Sequence, residues 1–209
     1  MKRIASLFAL IPALAFSACS EPGPSQTNSE ENTESTETET VDEVVEVPTI
    51  DAGLAIGATA PLAAKFQTGD GEKTLETVLE DGPAILVFTR SVEWCPFCQT
   101  QLKGIDAIVS DLQQRGYNLY GVSYDSVESQ DRFSKNQMLE YTMLSDEGSK
   151  AIDAFELRDP QYTEGKAVGV PYASIIVIDK DGKIVAKSVS GDFKKRPTND
   201  QLLAIVDAI

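Results

Sequence analysis

TRSVEWCPFCQTQL, residues 89–102, is the stretch on which the rest of the sequence turns. It follows PAILVFT (residues 83–89), a continuous apolar run with β-branched members, as in a strand buried on both faces. Beyond it Leu102, Ile105, Ile108, Val109 and Leu112 recur at helical spacing, and Gly116 ends the run. Cys95 and Cys98 therefore fall where a buried strand hands over to a helix. Free N–H groups and the positive end of the helix dipole stabilise a thiolate there. Such placement lowers a thiol pKa from about 8.5 to roughly 3.5–7.5, and the thiolate is the form that attacks disulfides and peroxides. Cys95 is expected first in the helix and exposed, with Cys98 one turn on, able to reach back and close a disulfide. Pro96 suits the first turn, where its missing N–H is no loss. A purely structural disulfide would close a two-residue loop and constrain the unfolded chain little.

Composition narrows the chemistry. The 209 residues include no histidine and three cysteines. Serine–histidine and cysteine–histidine catalysis are excluded, as is any histidine-based zinc enzyme. Three cysteines do not complete a four-ligand structural zinc site, so no metal and no cofactor is expected. The net charge of −15 argues against nucleic acid as a partner.

The first fifty residues stand apart from the fold. Lys2 and Arg3 precede an uncharged, mostly apolar run that ends Phe16-Ser17-Ala18-Cys19. The run is too short to span a membrane and has the layout of a secretory signal. Its end resembles the lipobox of bacterial lipoproteins, which implies acylation of Cys19 and an N-terminal lipid. Residues 20–50 then carry nine acids and no lysine or arginine, a composition for an extended, self-repelling tether. The expected division is a signal peptide over residues 1–18, an acidic tether over 19–52 and one domain over 53–209. The expected location is extracytoplasmic, lipid-anchored to a membrane. Ser20 resembles outer-membrane sorting.

Within the domain, YNLYGVSYD (117–125) reads as a second strand, with Ser126 capping a helix towards Met138. A short strand near 141–144 and a helix near 149–155 come next. YASIIVIDKDGKIVAKSV is a hairpin turning at Lys180-Asp181-Gly182, and a last helix is capped by Thr198 or Asn199. Strands alternating with helices before an antiparallel hairpin imply an α/β fold, a central mixed sheet flanked by helices.

EWCPFC after AILVFT, with VPYASIIVIDKDGKI, resembles the thioredoxin-like superfamily. Closest is its redoxin branch, which contains the AhpC/TSA family and the TlpA-type reductases. GATAPLAAKFQTGDGEKTLETVLEDGP resembles that branch's opening Gly-x-x-Ala-Pro and small N-terminal β-hairpin extension. The resemblance implies that Pro171 faces the disulfide as a cis-proline and that Val170 offers backbone hydrogen bonds to a substrate. It also makes Trp94 the tryptophan flanking the motif, with Pro96 and Phe97 at the substrate surface.

Two departures from peroxiredoxins order the activities. Val92 stands where they carry a threonine, and AVGVPYAS lacks their late arginine, leaving Arg90 as the only arginine nearby. Thr89 lies about where thioredoxins keep a buried acid, and Glu93 is the nearest carboxylate. The leading expectation is thus a thiol–disulfide oxidoreductase, a monomer working on protein disulfides or dithiols with a redox partner. Cys95 forms the mixed disulfide and Cys98 resolves it. The alternative is a peroxidase with Cys95 peroxidatic and Cys98 resolving. A third is a redox-inactive binding module.

Overall fold

Strand β3 (Ala84–Phe88) is buried along its whole length and sets the layers. Successive side chains of a strand point to opposite faces. Leu86 and Phe88 therefore join one apolar cluster with Phe66, Ile152, Phe155 and Leu157. Ile85 and Val87 join the other, with Leu102, Leu112, Phe133 and Leu202. Covering both faces explains the uninterrupted apolar run.

The computed structural model describes residues 49–209. The hairpin β1 (Lys65–Thr68) and β2 (Gly71–Thr74) leads into the short helix α1 (Leu75–Leu79) and then β3. Helices α2 (Pro96–Asp106) and α3 (Val109–Gln114) cross to β4 (Asn118–Ser123). Helix α4 (Val127–Gln137), β5 (Thr142–Ser145) and α5 (Lys150–Ala154) follow. The hairpin β6 (Ala173–Ile178) and β7 (Ile184–Ser190) precedes the last helix, α6 (Asn199–Asp207). The seven strands lie in the order β2-β1-β5-β4-β3-β6-β7. Strands β3, β4 and β5 are mutually parallel, and the remaining pairings are antiparallel. This is the thioredoxin-like α/β fold, with β1 and β2 as the N-terminal extension of the sheet.

Local signals account for most boundaries. The hydroxyl of Ser126 caps α4 by accepting from the Ser129 N–H, and that of Thr198 caps α6 by accepting from Gln201. The turn between β6 and β7 is closed by Asp179, whose carboxylate accepts from the N–H groups of Asp181 and Lys183.

Two expectations change. The helix after the cysteine pair is two helices, interrupted at Ala107–Ile108. The Gly104 carbonyl, which would accept from Ile108, takes the Asn199 amide at 2.9 Å and the Ala107 N–H at 3.3 Å. The ladder shifts to shorter bonds there, while Leu102, Ile105, Ile108 and Leu112 all remain buried. The tether boundary moves too. Thr49 bridges Ser190, the Ile50 N–H donates to the Val189 carbonyl, and Asp51 pairs with Lys187 at 3.1 Å. Residues 49–52 therefore belong to the folded unit.

Candidate active site

Cys95 is the N-cap of α2, and its Sγ accepts from the Cys98 N–H at 3.3 Å. The two sulfurs form a disulfide, with Cα atoms 5.2 Å apart. Cys95 does not stand exposed as expected. It is only 2 % accessible, and Cys98 is fully buried. Pro96 and Phe97 do reach the surface, and Phe97 packs edge-on against Phe193 at 5.9 Å between ring centres.

The loop before the disulfide hangs on Asp125, just past the end of β4. One Asp125 oxygen accepts from Ser91 Oγ at 2.7 Å; the other accepts from the Val92 N–H at 2.6 Å and Ser123 Oγ at 2.7 Å. Ser91 Oγ in turn accepts from the N–H groups of Glu93 and Trp94, and the Gln99 amide ties the Val92 carbonyl to α2. Burial pushes the Asp125 carboxyl above the usual range, although all three donated bonds pull it back. The buried acid beside the motif thus comes from just beyond the strand next to β3. Thr89 is buried with its hydroxyl unpartnered among the described residues, and Glu93 faces outwards to Ser129 and Arg132. Ser91 and Asp125 escaped the sequence analysis. The available signal was an acid closing an apolar strand that neighbours the motif strand.

On the other flank lie two arginines. Arg90 is 5 % exposed, its Nε has no hydrogen-bond partner among the described residues, and its guanidinium is held against three rings. Phe193 lies 4.1 Å away, Tyr162 4.5 Å and Trp94 5.1 Å. Arg196 arrives from the loop after β7. Its Nη2 donates to Cys98 Sγ at 3.2 Å, its Nε to the Phe193 carbonyl at 2.9 Å, and its Nη1 to Gln101. Burial, with the neighbouring Arg90 cation, pushes the Arg196 guanidinium down to about 10. Among the described residues no carboxylate pairs with either arginine. The sequence near the motif offers no arginine but Arg90; the basic run Lys194-Lys195-Arg196 in an acidic chain is the clue to the other.

Trp94 is half-buried at the rim. Its indole N–H donates to the Tyr124 hydroxyl at 3.0 Å, and that hydroxyl donates to the Lys166 carbonyl. Val170 is buried, its N–H donated to the Ala167 carbonyl and its own carbonyl accepting from the Asp159 N–H. Pro171 is buried and bridges Arg158. Cys19 lies outside the described residues.

The AhpC/TSA family model matches residues 56–187, which includes this site. The chain belongs to the AhpC/TSA family. Among its relatives is peroxiredoxin Bcp of Escherichia coli K12, 30 % identical over 144 residues, covering 68 % of this chain and 90 % of that one. Among solved structures, peroxiredoxin Q of Xanthomonas campestris superposes with a TM-score of 0.62 at 24 % identity, over 76 % of this chain and 98 % of that one. Reduced Prx3 of Vibrio vulnificus in complex with hydrogen peroxide gives 0.66 at 18 %, over 73 % and 99 %. Family membership makes the chain an enzyme of thiol-dependent redox chemistry, and places redox-active thiols at the centre of its partnerships.

Proposed function

We propose that this AhpC/TSA member is a thiol peroxidase, with Cys95 peroxidatic and Cys98 resolving. The match to peroxiredoxin Bcp along nearly that protein's whole length carries this reading. It reverses the order of activities expected from sequence, and two site features support the reversal. The missing late arginine is offset by Arg196, which donates to Cys98 Sγ, with the Arg90 cation close to it and packed on the Trp94 and Phe193 rings. The occupied main chain of Val170 and the burial of Cys95 favour a substrate of a few atoms over an extended protein segment.

In this mechanism the Cys95 thiolate attacks one peroxide oxygen, and the O–O bond breaks to release water or an alcohol. The resulting sulfenic acid is attacked by Cys98, water leaves, and the disulfide forms. The helix N-terminus and the two guanidinium groups supply fixed positive charge where negative charge develops. A thiol reductant restores the dithiol.

Dimedone labelling tests the assignment. Cys98→Ser exposed to hydrogen peroxide should retain a sulfenic acid that dimedone labels at Cys95, whereas Cys95→Ser should not be labelled. No label in Cys98→Ser, with brisk insulin reduction by the wild type, would favour disulfide exchange instead.

We further propose a lipid anchor at Cys19, with the domain on the extracytoplasmic side. Phe16-Ser17-Ala18-Cys19 at the end of an apolar run, followed by an acidic tether, supports it. Cys19→Ala should abolish fatty-acid labelling of the chain; unchanged labelling would contradict the anchor.

A further inference from the structure

We propose that Arg196 is a catalytic residue in re-reduction of the disulfide. It holds negative charge on Cys98 Sγ, so that an incoming thiolate attacks Cys95 and Cys98 leaves. The inference rests on the pair cycling between disulfide and dithiol.

The geometry is unsymmetrical. Cys95 Sγ accepts a backbone N–H at 3.3 Å, while Cys98 Sγ accepts a full guanidinium at 3.2 Å. Hydrogen bonds to an ionised group are about twice as strong as neutral ones. Burial ordinarily raises a thiol pKa, so an adjacent cation is what makes a buried thiolate tolerable. In the disulfide state that cation has no anionic partner among the described residues. Its surroundings are Cys98, the Gln101 side chain, the Phe193 carbonyl and the like charge of Arg90. Asp125 is committed to the Ser91 loop, and Glu93 to Ser129 and Arg132. Burial and the neighbouring Arg90 cation lower the Arg196 pKa, and a thiolate at Cys98, within hydrogen-bond distance, would give that cation a counterion.

The steps balance. A reductant thiolate forms a bond to Cys95 Sγ, the Cys95–Cys98 bond breaks, and its electron pair goes to Cys98 Sγ beside Arg196. A second reductant thiolate attacks the reductant sulfur of this mixed disulfide. That step releases the Cys95 thiolate and the oxidised reductant. The protein gains two electrons and the reductant loses two. In the oxidative half, the same charge keeps Cys98 in the form that attacks the Cys95 sulfenic acid. A lower thiol pKa also makes the better leaving group.

Two measurements on the full chain test the assignment without peroxide. In a reduced Cys95→Ser background, iodoacetamide alkylation of Cys98 is followed against pH by peptide mass spectrometry, with the Cys19 peptide read separately. Arg196→Gln should raise the midpoint of Cys98 by a pH unit or more, a tenfold change in proton affinity, and Arg196→Lys by less. An unmoved midpoint in Arg196→Gln would overturn the proposal. The second treats oxidised wild type with substoichiometric glutathione, quenches in acid and maps the adduct. Glutathione should sit on Cys95, and adducts mainly on Cys98 would overturn the proposal. Should Arg196→Gln fail to fold, the Arg196→Lys midpoint and the wild-type adduct map carry the test. Absence of peroxidase activity would leave both results standing.

Discussion

The two flanks of the disulfide are built on opposite terms. On the Asp125 side one buried carboxylate takes three donors and fixes the loop that presents Cys95. On the arginine side Arg90 is buried against aromatic rings, its Nε unpartnered among the described residues, and Arg196 donates to a sulfur. Satisfied buried polar groups rigidify a site, whereas an unpaired buried cation costs stability. The first flank positions the sulfurs and the second holds charge in reserve for a thiolate. Removing groups from the first should therefore damage the fold, and removing charge from the second should damage the chemistry.

The largest effect is expected from Asp125→Ala. It strands the Ser91 and Ser123 hydroxyls and the Val92 N–H, so unfolding free energy should fall by about 3 kcal/mol or more. Urea denaturation measures this, and a loss under about 1 kcal/mol would break the contrast between flanks.

Arg90→Met should act the other way. It removes a buried cation while keeping an apolar chain among the three rings, so stability should hold within about 1 kcal/mol or rise. Peroxide turnover should nonetheless fall at least tenfold, an effect of about 1.4 kcal/mol on the barrier. Equal loss of stability in both variants would erase the distinction.

Asp125 also predicts a pH dependence. Its folded pKa lies above the unfolded value, so the folded state binds the proton more tightly. The stabilisation is complete below the unfolded pKa of about 3.9 and is lost as pH rises through the folded value. Asp125→Asn should remove this component, so wild type minus variant stability should decline with rising pH above about 4. A difference that grows with pH would mean the carboxyl is instead favoured in its charged form. The smallest effect is expected at Glu93→Gln, whose half-exposed pairing with Arg132 at 3.5 Å contributes at most about 1 kcal/mol.

What the sequence disclosed follows the range of the interactions. The strand–helix alternation, the Lys180-Gly182 turn and the caps at Ser126 and Thr198 are encoded within a few residues, and all are present. The helix after Cys95 looks continuous because its break is made by Asn199, 95 residues away. Arg196 meets Cys98 across 98 residues and Asp125 meets Ser91 across 34, so neither contact leaves a local pattern. The cysteine pair was legible as chemistry because its spacing and position are local. The exposure of Cys95 was not, because the residues around it come from several segments of the chain. Ranking exchange above peroxide reduction followed from Val92 at the threonine position and from the missing late arginine; the fold brings Arg196 to Cys98 from elsewhere in the chain, while Val92 remains a departure.

Trp94, the chain's single tryptophan, directly precedes Cys95 and offers a fluorescence signal for the redox step. Reduced full-length protein mixed in a stopped-flow instrument with hydrogen peroxide, and separately with a small-molecule disulfide at the same concentration, tests the peroxidase account most directly. Oxidation by peroxide should be at least a hundredfold faster than oxidation by the disulfide, and should vanish in Cys95→Ser. A peroxide rate no greater than that of a free thiol, with the disulfide reacting faster, would contradict it.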